Sequence, residues 1–569
     1  MVYDLVLKNT TYVNLFTKET YPADIAVQDG RIAHVTQPGQ PGLCGRSEYD
    51  AKGKYAVPGL IDTHLHIESS MMSPRHFARA LAPHGTTTVC ADPHEIGNVM
   101  GLEGIRLMLE ATEGLPLRVL LLAPSCVPSV PGVETSRTAF GPEEIAWMLA
   151  QPRVVGLGEV MDYQGVVNGA PRMEKILQTS RDAGAFIQGH APDLAGEELS
   201  RYLAAGCESD HETHREEEAL EKLRAGMVLE VRHASNCFDL ERLLPLLLRL
   251  DCLENVTFCT DDTEPRDLME RGHLDEMIRI AVRGGMKPIE AIKVATVNAA
   301  RLARLRDRGS LRPGSLADIL LVPDLTDFRP DEVFLGGELI AKEGRMLAEE
   351  EQREKETYPN TMLLKTPIRP EDFRVAAQGG TVKLHTIAYD SGDKFVTALE
   401  TCEFPVENGW ACIGDQPDFA LFAVFERHGR NGGRALAPVH RLGLAKGAVA
   451  TTVSHDCHNL FVAGRDPDEM YLAASTLAAT GGGIACVEDG RVIYQLELPL
   501  AGLMCDEPPQ MMAEKLEELK AILTRFGIPG HTPHMLLSSF ALAVIPAVRL
   551  TDRGLVDTIR QELIPLYAD

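Results

Sequence analysis

Eight times between residues 60 and 261, a short apolar run is followed by a stretch with helical spacing. The runs are LIDTHLH (60–66), TTTVCAD (86–92), RVLLLAPS (118–125), RVVGLGE (153–159), AFIQGH (185–190), GCESDH (206–211), GMVLEVRH (226–233) and NVTFCTD (255–261). Runs this short, bounded by turns, read as strands buried on both faces. The stretches between them, such as RMEKILQTSRDAG (172–184) and HREEEALEKLRAG (214–226), repeat apolar residues at helical spacing and end in glycine. Eight strand–helix units over roughly 250 residues is the size of a (β/α)8 TIM-type barrel. The competing doubly wound sheet needs a glycine-rich phosphate loop after its first strand, and none is present.

The chain has 569 residues, too many for this barrel alone. Residues 2–8 alternate polar and apolar, and DIAVQDGRIAHV (24–35) reads as two strands joined at Asp29-Gly30, so the opening reads as antiparallel sheet. Past the helical stretch 288–305, GSLADILLVPD (314–324) and VFLGGELIAKEGRM (333–346) return to short strands with glycine turns. We expect residues 1–58 plus 306–348 to form a small flanking β-sandwich domain, and residues 59–305 to form the barrel. The charged stretch LAEEEQREKETYPN (347–360) falls in an expected linker, 349–375. Residues 376–569 are expected to form a C-terminal α/β domain.

The net charge of −26 disfavours nucleic acid and anionic membrane as partners. The 12 cysteines are scattered and include no Cys-x-x-Cys pair, which fits reduced thiols. No secretory leader and no uncharged span of membrane length is seen, so the expected location is cytoplasmic.

The ends of the expected strands carry the chemistry. His64 and His66 lie on the first, Glu159 on the fourth, His190 on the fifth, His211 on the sixth and Asp261 on the eighth. In a barrel these ends meet at one face, so the six groups converge. Side chains two apart on a strand point the same way, as His64 and His66 must to share an ion. A lone His-x-His is more often surface or hydrogen-bonded core; six candidates at strand ends are not explained that way. Imidazole with carboxylate suits Mn, Fe or Zn. Six ligands exceed what one four-coordinate ion uses and suit two ions, with Glu159 as the bridge.

The ordered set GLIDTHLHIE, GLGEV, QGHAP, SDHE and CTDD resembles the amidohydrolase superfamily. The longer motifs PGLIDTHLHIESSMMSP (58–74), GTTTVCADPHEIGNV (85–99), LGEVMDY (157–163) and SHDCHN (454–459) resemble the adenine deaminases within it, along essentially the whole chain. The family more often has a small residue such as Ser at the position of Cys457. The resemblance implies hydrolytic deamination of adenine to hypoxanthine and ammonia, as in purine salvage. It also implies a pair of divalent ions, Mn2+ or Fe2+, at His64, His66, Glu159, His190, His211 and Asp261; Zn2+ accepts the same ligands. The alternative is another amidohydrolase, acting on a different aminopurine or a cyclic amide, because pocket chemistry sets the substrate.

For adenine, a hydroxide generated at the metal pair is expected to attack C6, with Asp261 as general base and then acid. Glu68 and Glu212 are the two candidates for protonating N1. Candidate substrate contacts are Ser69 beside Glu68, then Asp92, His94 and Glu95 after the second strand, and Arg232 and Ser235 after the seventh. Asp92 as a helix cap on a solvated loop, and a structural role for Arg232 and Ser235, are the bland alternatives. Strand alternation points Asp262 away from the site. His455 and His458, three apart, would share an ion only on a helix. The barrel has a full ligand set without them, and they are expected near the substrate, with the C-terminal domain over the barrel mouth. Cys457 reads as a small buried residue. A homodimer or larger homo-oligomer is expected, with adenine as the small-molecule partner.

Overall fold

The computed structural model describes residues 2–349, 357–389 and 396–568. Residues 350–356 of the expected linker, and 390–395 of the C-terminal region, lie outside the described residues.

The eight expected strands form, and we number them within the barrel: β1 (Leu60–Leu65), β2 (Thr86–Ala91), β3 (Arg118–Ala123), β4 (Val154–Val160), β5 (Phe186–Gly189), β6 (Ser209–Asp210), β7 (Val228–Arg232) and β8 (Val256–Cys259). β1 to β5 pair in parallel, as do β6 to β8. Two contacts close the ring. The Glu208 amide donates to Ile187 O at 2.9 Å between β5 and β6, and the Asp261 amide donates to His64 O at 3.1 Å between β8 and β1. β1 and β2 are buried at every position, as strands covered on both faces must be. β6 is only two residues long, far shorter than GCESDH suggested.

The helices follow from spacing and caps. In Pro171–Asp182, Met173, Ile176, Leu177 and Ser180 form the buried face at i, i+3, i+4 and i+7. Proline starts the helix, and Gly184 at φ +69° ends it, its amide bonded to Arg181 O. Burying the three apolar side chains contributes roughly 1.5–3 kcal/mol each.

Strands from both flanks of the barrel join in one nine-stranded sheet. Ile319–Val322 pairs with Tyr55–Pro58, and an Arg31–Leu316 bridge shows the sheet curling back on itself. The opening strand Val2–Asn14 is not purely antiparallel. It pairs antiparallel with Glu19–Gln28, but parallel with Cys44–Asp50 and Tyr55–Pro58. Cys44–Asp50 is largely exposed and carries no apolar alternation to reveal its register.

The C-terminal region is built on a second nine-stranded sheet. Its strand Phe419–Phe425 shows period two. Leu421, Ala423 and Phe425 join the cluster that includes Met470, Ala473 and Leu477 of helix Pro467–Thr480. Ala420, Phe422 and Val424 join a cluster on the other face that also holds Leu65, Met71 and Phe77 of the barrel and Leu516 and Leu519 of helix Pro509–Phe526. This shared apolar core seats the C-terminal region on the barrel's first strand and helix. The twelve cysteines are all free thiols. Among the described residues no helix is long and apolar enough to cross a membrane.

Candidate active site

The six strand-end groups meet at one end of the barrel, all buried. His66 Nε2 lies 3.4 Å from Glu159 Oε1 and 3.3 Å from Asp261 Oδ1. His64 Nε2 lies 3.7 Å from Asp261 Oδ1, and His211 Nε2 lies 3.3 Å from Glu159 Oε2. His190 Nδ1 is closer to the same oxygen, at 2.8 Å. His64 Nε2, Glu159 Oε1 and His211 Nδ1 have no hydrogen-bond partner although buried. Buried polar atoms are rarely left so.

The tautomers follow from the partners. Gln188 gives its amide hydrogens to Thr63 O at 2.9 Å and Glu230 at 3.0 Å, so its Oε1 faces His64 Nδ1 at 2.8 Å as an acceptor. His64 Nδ1 therefore carries the hydrogen, and Nε2 presents a lone pair inward. His66 Nδ1 donates to Asp92 O at 3.0 Å, with the same result. Burial, then the nearby His211, holds the His64 imidazole well below its usual range and so neutral. Burial would raise Glu159, but contacts from His190 and His211 outweigh it and hold the carboxyl well below the usual range. Burial would lower His66 and His211, but Asp261 and Glu159 raise His66 well above its usual range and Glu159 raises His211 to about 9, so cation binding here would displace protons; neutral imidazoles and ionised carboxylates are the metal-binding forms. Bonds of about 2.1 Å place neighbouring tetrahedral ligand atoms roughly 3.4 Å apart. The 3.3 to 3.7 Å separations match that spacing, so the residues fit divalent ions. His64, His66 and Glu159 form one compact donor group, and His64, His211 and Asp261 another.

Asp261 has left-handed backbone, φ 58°, just past β8. Alternation therefore does not govern its neighbour, and Asp262, expected to point away, lines the same cavity. Arg232 donates to Asp261 Oδ2 at 2.7 Å, to Asp239 Oδ2 at 3.2 Å, and through both Nη atoms to Glu212. Four of its hydrogens are thus committed to carboxylates, leaving little of the fork for a ligand. Burial would raise Asp261 and Glu212. His66 and Arg232 outweigh it at Asp261, and Arg232 does so at Glu212; both carboxyls stay well below the usual range.

A cavity of about 280 Å³ opens onto these groups. His66, Glu159, His190, His211 and Asp261 line one side, with Glu212 and Arg232 beside them. Met535, Ser538, Ser539, Leu542, Ile545 and Pro546 of the C-terminal region face them as a roof. His94, His455 and Asp456 also line it. Glu68, Ser69, Asp92, Glu95, Ser235 and His458 do not; all are buried.

Each of these six has other work. Asp92 accepts from the Glu159 amide at 3.0 Å while its carbonyl holds His66, so it orients two strand-end groups rather than capping a solvated helix. Ser69 Oγ lies 2.7 Å from Glu95 Oε1 and 2.5 Å from Asp262 Oδ1. Burial, then the Glu95 carboxylate, pushes Glu68 up to about 8. Ser235 Oγ accepts from the Glu264 amide at 2.8 Å. Glu95 Oε2 lies 3.6 Å from His458 Nε2. The 454–459 segment is a turn, not a helix.

Three contributors were absent from the sequence reading. Gln188 sits two before His190, and period two would have found it on the same face. Asp456 Oδ1, 3.5 Å from His94 Nε2, lies within the SHDCHN motif. The 535–546 roof left no local signal.

Residues 55–340 match the amidohydrolase family, and residues 394–562 match the adenine deaminase C-terminal domain. Adenine deaminase 2 of Carboxydothermus hydrogenoformans (strain ATCC BAA-161 / DSM 6008 / Z-2901) is 42% identical over 564 residues, covering 99% of this chain and 97% of its own. Adenine deaminase of Desulfatibacillum aliphaticivorans is 38% identical, with the same coverage. A solved beta-aspartyl dipeptidase from Fervidobacterium islandicum AW-1 aligns at TM-score 0.47 and 20% identity, over 61% of this chain and 99% of that chain.

Proposed function

This chain belongs to the adenine deaminase family of the amidohydrolases, and on that footing we propose how its cavity converts adenine and water to hypoxanthine and ammonia. The chain is an adenine deaminase and uses a divalent metal, as its family does. In our reading His64, His66, Glu159, His190, His211 and Asp261 would hold two such ions, Mn2+ or Fe2+, with Glu159 offering one oxygen on the His66 side and the other on the His211 side. When bound, the ions supply a water acidic enough to ionise near neutral pH.

The residues of the chain do the rest. Asp261 faces the histidines through Oδ1, which leaves Oδ2, toward Arg232, to accept the proton released as oxygen adds to C6. It returns that proton to the amine as the C6–N bond breaks. Arg232 positions both Asp261 and Glu212. Of the two acids expected near N1, Glu212 is the one that lines the cavity, and we assign it to the ring. Held ionised by Arg232, it takes up the second of the water's two protons and delivers it to N1 as C6 becomes tetrahedral, while Asp261 carries the first to the departing amine. The apolar roof of Met535, Leu542 and Ile545 packs on the ring and excludes water. Ser69, Asp92, Glu95, Ser235 and His458 act as supports, since none lines the cavity. Glu68 also stands outside it. The same reading holds the enzyme to be a cytoplasmic homodimer or larger, which light scattering and fractionation check.

The observation that carries this reading is the buried cluster of His64, His66, Glu159, His211 and Asp261, whose facing atoms lie 3.3 to 3.7 Å apart with His64 Nε2 and Glu159 Oε1 unpartnered. Ammonia release from adenine, adenosine, guanine and dihydroorotate tests it. Adenine is expected to be turned over far faster than the rest; turnover led by any other compound would refute the purine assignment.

A further inference from the structure

The SHDCHN turn, residues 454–459, faces His94 and Glu95 of the barrel. From it and the barrel we infer that a separate divalent-cation site lies at the seam between barrel and C-terminal region. Its ligands would be His94 and Glu95, which begin helix His94–Met100, together with His455 and Asp456.

The donor atoms form a ring. His94 Nε2 lies 3.5 Å from Asp456 Oδ1, and Asp456 Oδ1 lies 3.8 Å from His455 Nδ1. His455 Nδ1 lies 3.9 Å from Glu95 Oε1. His94 and Glu95 belong in turn to one donor group, with atoms within 4.8 Å of each other. These gaps are too long for good hydrogen bonds and close to the spacing of atoms around a shared ion. Both nitrogens of His94, Asp456 Oδ1 and Glu95 Oε2 have no hydrogen-bond partner. His94, Glu95 and Asp456 are each at most 1% exposed. His94 Nε2 and Asp456 Oδ1 thus aim unpartnered buried atoms toward one place, and Glu95 brings Oε1, which accepts from Ser69, to the same side while its Oε2 faces His458.

The neighbours define the ligand set. His458 Nδ1 accepts from the Ser454 amide at 3.1 Å, so its Nε2 carries the hydrogen and faces Glu95 as a donor. His458 is therefore a support and not a ligand. The other Asp456 oxygen is taken by Ser129 Oγ at 2.5 Å. Burial, then the Glu134 carboxylate, pushes the Cys457 thiol well above its usual range and leaves it neutral. Two imidazoles and two carboxylates suit Mn2+, Fe2+ or Zn2+. The His94 ring stands between the two centres, with Nδ1 3.6 Å from Glu159 Oε1. The ion would pin the C-terminal region over the cavity and fix the imidazole beside the bridging carboxylate.

The site does not depend on how the pair is assigned, and one experiment separates the two. Protein stripped of metal is loaded with Mn2+, dialysed, analysed for metal and crystallised for manganese anomalous scattering. Wild type is expected to hold three ions, one of them between His94 and Asp456. Asp456→Asn and His455→Ala are expected to lose that peak alone, each holding two. His211→Ala is expected to lose density at the pair and keep the seam peak. Two wild-type peaks, both among the strand-end residues, would overturn the inference and leave the pair standing. A seam peak undiminished in Asp456→Asn would overturn it as well. The wild-type map decides even if a variant does not fold.

Discussion

Gly158→Ala is the smallest change that should damage the site without touching a ligand. A Cβ at residue 158 would lie 2.1 Å from Asp92 Oδ2, while real Cβ atoms essentially never come nearer than 3.0 Å. The Asp92 carboxylate must therefore move by about 0.9 Å, and it is fully buried. Moving directly away, it would stretch its 3.0 Å bond from the Glu159 amide beyond hydrogen-bond range. Loss of a hydrogen bond to a buried charged group costs about 1.5–3 kcal/mol. The same shift disturbs the Asp92 carbonyl that holds His66, so two strand-end groups lose their orientation. Loss of such supporting bonds lowers metal affinity roughly 10–100-fold, or about 1.4–2.8 kcal/mol, the same range. Manganese affinity by competition with a chelator and stability by urea unfolding measure both effects. Gly380→Ala is the control, because a Cβ there meets nothing within 4 Å. Wild-type manganese affinity and stability in Gly158→Ala would refute the role given to Asp92.

Asp261→Asn keeps a metal-facing oxygen but cannot take the proton. It should lower kcat about 10²–10⁴-fold with bound manganese retained, as metal analysis beside steady-state rates would show. Arg232→Lys keeps a charge but not the fork that holds Asp261, Glu212 and Asp239 together. It should cost on the order of a hundredfold in kcat/KM at unchanged metal content, and a wild-type rate would refute the positioning role. Glu264, pushed up to about 8 by burial and then by Asp267, stays protonated in the folded state while the unfolded carboxyl ionises near 4.5. The folded state then holds the extra proton, so this group's contribution to stability falls as pH rises from about 4.5 to about 8. His534, 3.3 Å away and held down to about 4 by burial and then by Lys520, has the opposite slope between about 4 and 6.5. Above pH 6.5 only the Glu264 slope remains, so Glu264→Gln should gain stability relative to wild type from pH 6.5 to 8. Parallel urea midpoints over that window would contradict it.

The barrel was legible because its signal is local and repeated. Each strand is a short apolar run, and each helix carries its own spacing and glycine stop. The strand-end residues were legible for the same reason: period two places His64 and His66 together, and barrel topology brings the other ends to the same face. Failures came where local rules yield to backbone or distant contacts. Asp262 was turned away by alternation, but the left-handed residue Asp261 takes the chain off the strand first. Glu68 looked poised by its place beside the histidines, yet the turn Glu68–Ser70 leaves it buried outside the cavity lining. Arg232 reads in sequence as either a purine contact or a structural residue, and only the fold shows three carboxylates already on it. His94 and Asp456, 362 positions apart, meet through the apolar core shared by two sheets, and no periodicity encodes that meeting.

On this reading the strand-end residues make the cavity a metal-dependent adenine deaminase. Hypoxanthine formation from adenine, measured on metal-free protein during titration with manganese, tests it most directly. No product is expected without metal; the rate should rise to a plateau as manganese is added, and His211→Ala should lose that rise. Steady hypoxanthine formation by the metal-free protein, or an undiminished response in His211→Ala, would contradict it.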